Sequence, residues 1–329
     1  MFSFLEKYTS PFKLSRAGIM GMNRRNISYI GRYNNRKLFP LVDNKLKTKR
    51  IAQQAGATVP ELIGVLSEQH SVPSIHEMVK DWPGFVIKPA QGSGGKGILV
   101  VTSNKDGVYK KPSGSEVSKQ EVERHITNTL AGLFSLGGKN DVAVVENLIQ
   151  FDDVFDGFSY EGVPDIRVIV FKGYPVMAMM RLSTSASDGK ANLHQGAVGV
   201  GIDIATGKAL RAVQFNRPIE HHPDTGRLLN ELVVPHWELL LTLAASAWEM
   251  TGLGYLGTDM VLDKVQGPMV LELNARPGLA IQIANGCGLL PRLRHIEALG
   301  ETATPTTPAD RVAYVSKHFH GTHTPGHKN

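Results

Sequence analysis

The sequence predicts an α+β protein built on antiparallel hairpins. Three strand pairs carry that expectation: FVIKP and GILVV around a glycine loop, GVGIDI and ALRAVQF around a turn at Ala205–Gly207, and GYLGTDMVLD and PMVLELNA joined by KVQG. Helical stretches occur singly, not in the regular strand–helix alternation of a doubly wound sheet.

Residues 1–42 are basic, irregular and dotted with glycine, and their aromatics are expected to pack onto the main body. From Asp43 the text changes. DNKLKTKRIAQQAGA reads as a short helix with an Asp or Asn cap and a stop at Gly56. VPELIGV is strand-like, and SIHEMVKDW is another short helix. SEVSKQEVERHITNTLAGLFSL, beginning near Ser115, has capping-box character and apolar residues at helical spacing. Strands follow at AVVENLI, DIRVIVFKG and YPVMAMMRLS. PHWELLLTLAASAWEMTG is the clearest long helix, with Pro235 in its first position and Gly252 as its stop. The tail, 301–329, is rich in Thr, Pro and His and is expected to be loosely ordered. Its four histidines, His318, His320, His323 and His327, are read as giving adventitious metal affinity rather than a site.

The chain has 329 residues, 42% hydrophobic and 20% charged, which suits a globular protein with a large core. No run approaches the roughly 20 apolar residues of a membrane helix, and the N-terminus lacks a signal-peptide stretch. The single cysteine, Cys287, excludes a disulfide framework and fits a reducing cytoplasm; in NGCGLLP it reads as a small packed residue. The net charge of +6 is concentrated before residue 50. No zinc-finger, helix-turn-helix or RNP pattern accompanies it, so an anionic small-molecule site or a solvated face is favoured over nucleic acid.

GSGGKG, Gly92 to Gly97, formally matches G-x-G-x-x-G. A dinucleotide fold needs a helix after the glycines, whereas Ile98–Thr102 continues as strand, which disfavours a hydride-transferring oxidoreductase. The Walker pattern is absent as well. What remains is a strand–loop–strand flap with Lys88 in the first strand and Lys96 in the loop. It serves either as a backbone anion nest or as a plain hairpin.

In PMVLELNARPG, alternation puts Val270, Glu272 and Asn274 on one face and Leu271 and Leu273 on the other. A glutamate in so apolar a strand is costly unless paired or metal-bound. Asp259 lies in an equally apolar neighbouring strand, and a hairpin would set it facing Glu272 and Asn274. Two carboxylates and an amide are hard oxygen ligands suited to Mg²⁺. Ion pairing with Arg276 or a lysine is the plainer alternative. Arg276 stands close enough to clamp a phosphoryl oxygen.

These motifs, in their order from DNKLKTKR through VIKPAQGSGGKGI, VVEN, DIRVIVFKG, DGKANLHQGA and GTDMVLD to ELNARPG, resemble the ATP-grasp superfamily, and within it the α-L-glutamate ligase (RimK-type) branch. The resemblance covers roughly three quarters of the chain. It implies an ATP-grasp fold in which two α+β subdomains, 43–145 and 146–300, clamp ATP between antiparallel sheets, with a reduced N-terminal segment at 1–42. Lys45 and Lys88 would bind nucleotide phosphates, and Gly92, Ser93, Gly94, Gly95, Lys96 and Gly97 would form the lid. Glu146 and Asn147 would hold the adenine, Asp165 the ribose end, and Lys190 and Asn192 the phosphates. Asp259, Glu272 and Asn274 would carry Mg²⁺, with Mn²⁺ as a substitute.

The implied reaction is ATP-dependent joining of a small-molecule or peptide carboxylate to an amine through an acyl phosphate. Arg181 and Arg276 are candidates to stabilise the reacting oxygens. His194 is either an acid/base group or a structural histidine. A carboxylate carried by a sugar-linked or cell-envelope metabolite, and an ATP-binding module without turnover, are the alternatives. A homodimer is the family-style expectation. Two departures bear on the acceptor: about forty residues precede Asp43 where relatives have a full α/β domain, and FDDVFDGFSYEGVPD lengthens the stretch between Glu146 and Asp165.

Overall fold

The computed structural model describes residues 9–92, 94–105, 107–300 and 307–320. Strands in chain order are β1 Leu62–Leu66, β2 Phe85–Pro89, β3 Leu99–Val101, β4 Ser103–Lys105, β5 Val108–Lys110, β6 Glu116–Val117, β7 Ala143–Asn147, β8 Asp165–Phe171, β9 Tyr174–Leu182, β10 Val198–Ile202, β11 Ala209–Gln214, β12 Arg217–Ile219, β13 Tyr255–Asp263 and β14 Gly267–Asn274. They form a four-stranded sheet ordered β1-β7-β2-β3, a seven-stranded sheet ordered β12-β11-β10-β9-β8-β13-β14, and a small three-stranded sheet β4-β5-β6. Every pairing between these strands is antiparallel. The α+β architecture of hairpins expected from the sequence is therefore the one observed.

In the four-stranded sheet, alternation along β2 sends Phe85 and Ile87 into a core with Val122, Ile126 and Leu130 of helix Lys119–Leu130. Val86 and Lys88 are left for the opposite face. That helix begins with the expected capping box, Ser118 and Glu121 exchanging hydrogen bonds. The seven-stranded sheet is apolar along whole strands. β13 is buried at every position and β9 at all but Arg181, as strands covered on both faces must be. Helices Trp237–Ala245, Leu290–Ala298 and Pro308–His318 contribute Leu240, Leu241, Leu293 and Val315 to its core.

The N-terminal residues join the same core through Met20, Tyr29 and Ile30. Asn34 fixes them to the sheet, donating from Nδ2 to the Tyr255 carbonyl (2.6 Å) and accepting from the Tyr255 N–H (2.9 Å).

Two local expectations change. Pro235 does not open the long helix: His236 is left-handed (φ 52°), and the helix starts at Trp237, whose indole N–H donates to the Ile204 carbonyl at 2.9 Å and fixes the entry. The helix also breaks at Ser246 before resuming as Ala247–Thr251, and Gly252 (φ 69°) ends it as expected. The tail is not loose over 307–320. Pro308–His318 is a helix with its own Thr307–Asp310 capping box, and it buries Val312, Val315 and Phe319. His323 and His327 lie outside the described residues.

Candidate active site

The site is built from two faces that meet at one cleft. Facing the four-stranded sheet, but with its Ala52 packed in the large-sheet core, helix Lys45–Gln54 starts at Asn44, whose side chain accepts from the Lys47 N–H. It places Lys45 and Lys49 one turn apart on the same face. Lys88 of β2 and Glu146 of β7 are near neighbours, because Val86 is the partner of Glu146 in the ladder. Lys88 Nζ lies 2.6 Å from Glu146 Oε2 and Lys49 Nζ 2.9 Å from Oε1, with all three side chains buried. Lys49 also donates to the Pro60 carbonyl. Burial alone would push the Glu146 carboxyl up, but Lys88 and Lys49 outweigh it and hold it below its usual range. Burial dominates at Lys49 and lowers its pKa despite Glu146. Glu146 Oε1 has no hydrogen-bond donor, its contact with Lys49 being an ion pair only.

On the large-sheet side, cross-strand pairing lines up one polar row. Asp165 is opposite Arg181, Arg167 is opposite Asp259, and Asp259 is opposite Glu272. Arg167 grips Asp259 with two bonds, Nε to Oδ1 at 2.7 Å and a second nitrogen to Oδ2 at 2.5 Å. Arg181 binds both oxygens of Asp165 and reaches Asp259 Oδ2 at 2.9 Å. Burial raises the Asp165 carboxyl, against the pull of Arg181 and with the Asp259 charge adding to the rise. Asp259 goes the other way: the two guanidinium groups overcome burial and depress it. This is the pattern of two carboxylates sharing one set of cations.

Lys45 joins the faces. Its Nζ is 3.2 Å from Glu272 Oε1 and donates to the Gly92 carbonyl at 2.9 Å, so the glycine loop is tied to β14 through one ammonium. The base of the loop is held by the buried Asp141, which accepts from the Gln91 N–H (2.9 Å) and Ser135 hydroxyl (2.6 Å). The β2–β3 pairing makes the loop a flap between strands, with Gly94, Gly95 and Gly97 all at positive φ.

Of the expected metal set, Asp259 and Glu272 face each other across the ladder, with one correction to the alternation. A bulge between Asp259 and Met260 sets Glu272 against Asp259 but Val270 against Met260. Leu271 is the extra residue, so Val270 leaves the face of Glu272 and the strict alternation ends there. Asn274 pairs with Gly257 and its side chain accepts from the Arg276 N–H. Glu272 pairs with a lysine, Lys45, as the plainer ion-pair reading has it, whereas Asp259 is occupied by Arg167 and Arg181, which that reading did not name. Arg276 instead binds both oxygens of Asp43 and lies 5.1 Å over the Phe39 ring. Among the described residues no three His, Cys, Asp or Glu side chains gather as a metal site; the candidate is two carboxylates plus an amide.

Other expected residues stay apart from this cluster. Lys190 is exposed and pairs with Asp188 at 2.8 Å; Asn192 caps its own short turn by accepting from the His194 N–H. His194 and Lys96 are exposed, Asn147 ends β7 with its N–H on the Glu61 carbonyl, and Ser93 lies outside the described residues. Arg181 sits in the carboxylate network and Arg276 at the rim. Lys49 and Arg167 are the residues that motif reading passed over. Their signals were the i, i+4 spacing from Lys45 and the i, i+2 spacing from Asp165. Cys287 is half-buried, and burial pushes its thiol up, as a packed cysteine requires.

No helix among the described residues is long and apolar enough to cross a membrane. A family model described as sugar-transfer associated ATP-grasp matches residues 24–298. A curated relative from Aeromonas salmonicida, a probable alpha-L-glutamate ligase, is 23% identical over 244 residues; the match covers 74% of this chain and 59% of the relative's length. Among solved structures, the ATP-grasp ligase PsnB complexed with minimal precursor aligns with TM-score 0.44 and 14% identity, covering 81% of this chain and 62% of that one. D-alanyl-alanine synthetase A from Vibrio cholerae aligns with TM-score 0.45 and 12% identity, covering 85% and 65%.

Proposed function

The chain belongs to the sugar-transfer associated ATP-grasp family, and from that premise we propose that it is a Mg·ATP-dependent ligase joining a carboxylate to an amine. The observation that carries this reading is the meeting of Lys45, Lys88 and Glu146 with Asp259 and Glu272 at one cleft beside the glycine loop. A protein that only needed ion pairs for stability has no reason to gather them beside a glycine flap.

The residues fit the absent groups. Glu146 Oε1 is buried and meets only the Lys49 ammonium, as an ion pair at 2.9 Å, so it keeps acceptor capacity for an adenine amino group, and Asn147 follows it at the strand end. The Lys45 ammonium on Glu272 marks a place where a cation is held. Asp259 accepts three hydrogen bonds, leaving room on Oδ1 for one more ligand, and Asn274 can offer its amide oxygen. When bound, Mg·ATP supplies the transferable phosphoryl group and neutralises its charge; Mn²⁺ has the same preference for hard oxygen ligands.

The chain's own groups position the reactants. Lys45 and Lys88 hold phosphates, with Lys49 keeping Glu146 ionised behind them. Gly92–Gly97, with Ser93 and Lys96, folds backbone N–H groups over the phosphates. Asp165 serves the ribose side, and Lys190 and Asn192 approach on closure. A substrate carboxylate oxygen attacks the γ-phosphorus as ADP leaves; the amine nitrogen then attacks the acyl carbon, phosphate departs and a proton is lost. Arg181 and Arg276 stabilise the negative oxygens of these steps, and His194 is a candidate to take the proton. The two lobes of the clamp are proposed as 43–145 and 146–300, corrected at the edges because β7 stays in the four-stranded sheet through Asn147 and Ala52 and Ala57 pack in the large-sheet core.

The curated relative's name favours an amino acid or peptide as substrate. The family description favours a second reading, a carboxylate borne by a sugar-linked or cell-envelope metabolite. The chain spans 59% of the curated relative's length, and the acceptor is open on both readings. ADP release and hydroxamate formation with hydroxylamine, screened over amino acids and sugar acids, test the proposal. Hydroxamate with sugar acids alone selects the second reading. Neither product with any carboxylate makes the protein a binding module.

A further inference from the structure

We propose that the N-terminal face, residues 11–37, docks on an anionic lipid surface. Between Thr9 and Val42 the chain carries seven Lys and Arg residues (Lys13, Arg16, Arg24, Arg25, Arg32, Arg36 and Lys37) and no Asp or Glu. All of these except Arg25 are exposed. The same stretch exposes Phe12 (80%), Met22 (66%) and Ile27 (74%), while Met20, Tyr29 and Ile30 are buried in the core. Segment 22–33 is thus a two-sided element, one side packed on the large sheet, the other mixing cations with protruding apolar side chains.

That outer side has the composition of an interfacial segment: cations for lipid phosphates and isolated apolar groups for the acyl boundary. Attraction to anionic headgroups contributes at each Lys or Arg that reaches the surface. Nucleic acid would use the cations and the Phe12 ring but gains little from Met22 and Ile27, which have no ring to stack on bases. The element is rigidly seated, since the Gly18 carbonyl accepts from the Leu290 N–H, and Arg25 donates to the Pro277 carbonyl at 2.9 Å. Pro277 follows Arg276, so the face lies at the Arg276 end of the cleft.

The test is co-sedimentation of the full chain with vesicles of phosphatidylcholine alone or mixed with phosphatidylglycerol, which reads partition and not turnover. Pelleting is expected with the mixed vesicles only, weakening as salt rises. Replacing Arg24 by Ser should lower the partition coefficient about five-fold. The double variant Met22→Ser, Ile27→Ser should lower it about ten-fold or more. Both sites are exposed, and unchanged melting curves would show that the fold is kept. Absence of pelleting with the mixed vesicles, or pelleting indifferent to the apolar double variant, overturns the proposal. So does capture of an acidic protein by this face without lipid binding.

Discussion

Lys45 Nζ stands 3.2 Å from Glu272 Oε1 while donating to the Gly92 carbonyl, so one side chain links a helix, a glycine flap and the strand carrying the candidate metal carboxylate. The Glu272 side chain is 36% exposed, and a pair so placed contributes about 1 kcal/mol or less to stability. Glu272→Gln is therefore expected to move the melting temperature by no more than about 2–4 °C. Hydroxamate formation should fall about a hundred-fold or more, because the amide cannot balance the charge of a metal–phosphate group. Calorimetry and the trapping assay on one preparation separate the two effects. Near-normal turnover would remove Glu272 from the chemistry.

Glu146 has the opposite balance. Its carboxylate is buried between Lys49 and Lys88, and Glu146→Ala leaves two ammonium groups facing each other without it. Loss of one member of a buried ionic group costs about 3–5 kcal/mol, to be read from urea unfolding at neutral pH. The carboxyl is also depressed below its ordinary 4.5. As pH falls, the unfolded chain takes up that proton before the folded one does. The contribution of Glu146 is thus full above its unfolded pKa and is lost as pH drops through the folded value. An acid-dependent loss of stability below about pH 4.5 should be smaller in Glu146→Ala than in the wild type.

Much of this site is legible from residue spacing. Short KVQG forces a hairpin, and the hairpin puts Asp259 opposite Glu272. The bulge was not legible, because neither Val270 nor Leu271 differs from its neighbours in a way that marks an extra residue. Lys49 was hidden by its own surroundings: in KLKTKR it reads as part of a solvated run, and only the packing of the helix on Pro60 and Glu146 buries it. Arg167 looks like one more strand residue until Asp259 is known to sit across from it. The tail helix was masked by the flanking Thr and Pro residues, although Val312, Val315 and Phe319 follow helical spacing.

Gly97 and Gly94 separate two roles for the flap. Both have positive φ, +74° and +63°, and alanine at either pays a backbone cost of about 1–2 kcal/mol. A Cβ at Gly97 would also fall 2.4 Å from Phe134 Cγ, whereas nothing lies within 4 Å at Gly94. Phe134 stacks on His125, and His125 Nε2 is 3.0 Å from the Gly97 carbonyl, so the clash disturbs the packing that holds the end of the flap. Gly97→Ala should lose about 1–3 kcal/mol more than Gly94→Ala and raise the ATP concentration needed for half-maximal ADP release. Equal melting temperatures for the two variants would show that Phe134 yields freely.

The tail offers the cleanest contrast between core and surface. Phe319 is fully buried, edge-on to His295 at 5.4 Å and capped by Arg292 at 5.4 Å. His320, the next residue, has a side chain 71% exposed and meets Asp203 at 3.3 Å. Phe319→Ala removes a large apolar side chain from a closed site and should cost about 3–5 kcal/mol. His320→Ala removes an exposed imidazole from its contact with the buried Asp203 and should cost about 1 kcal/mol or less. Denaturant midpoints for the two variants measure the difference directly. A loosely held tail would leave both midpoints at the wild-type value, because no cavity forms where nothing is packed. A large shift for Phe319→Ala alone makes the helix Pro308–His318 part of the cooperative unit that carries the large sheet.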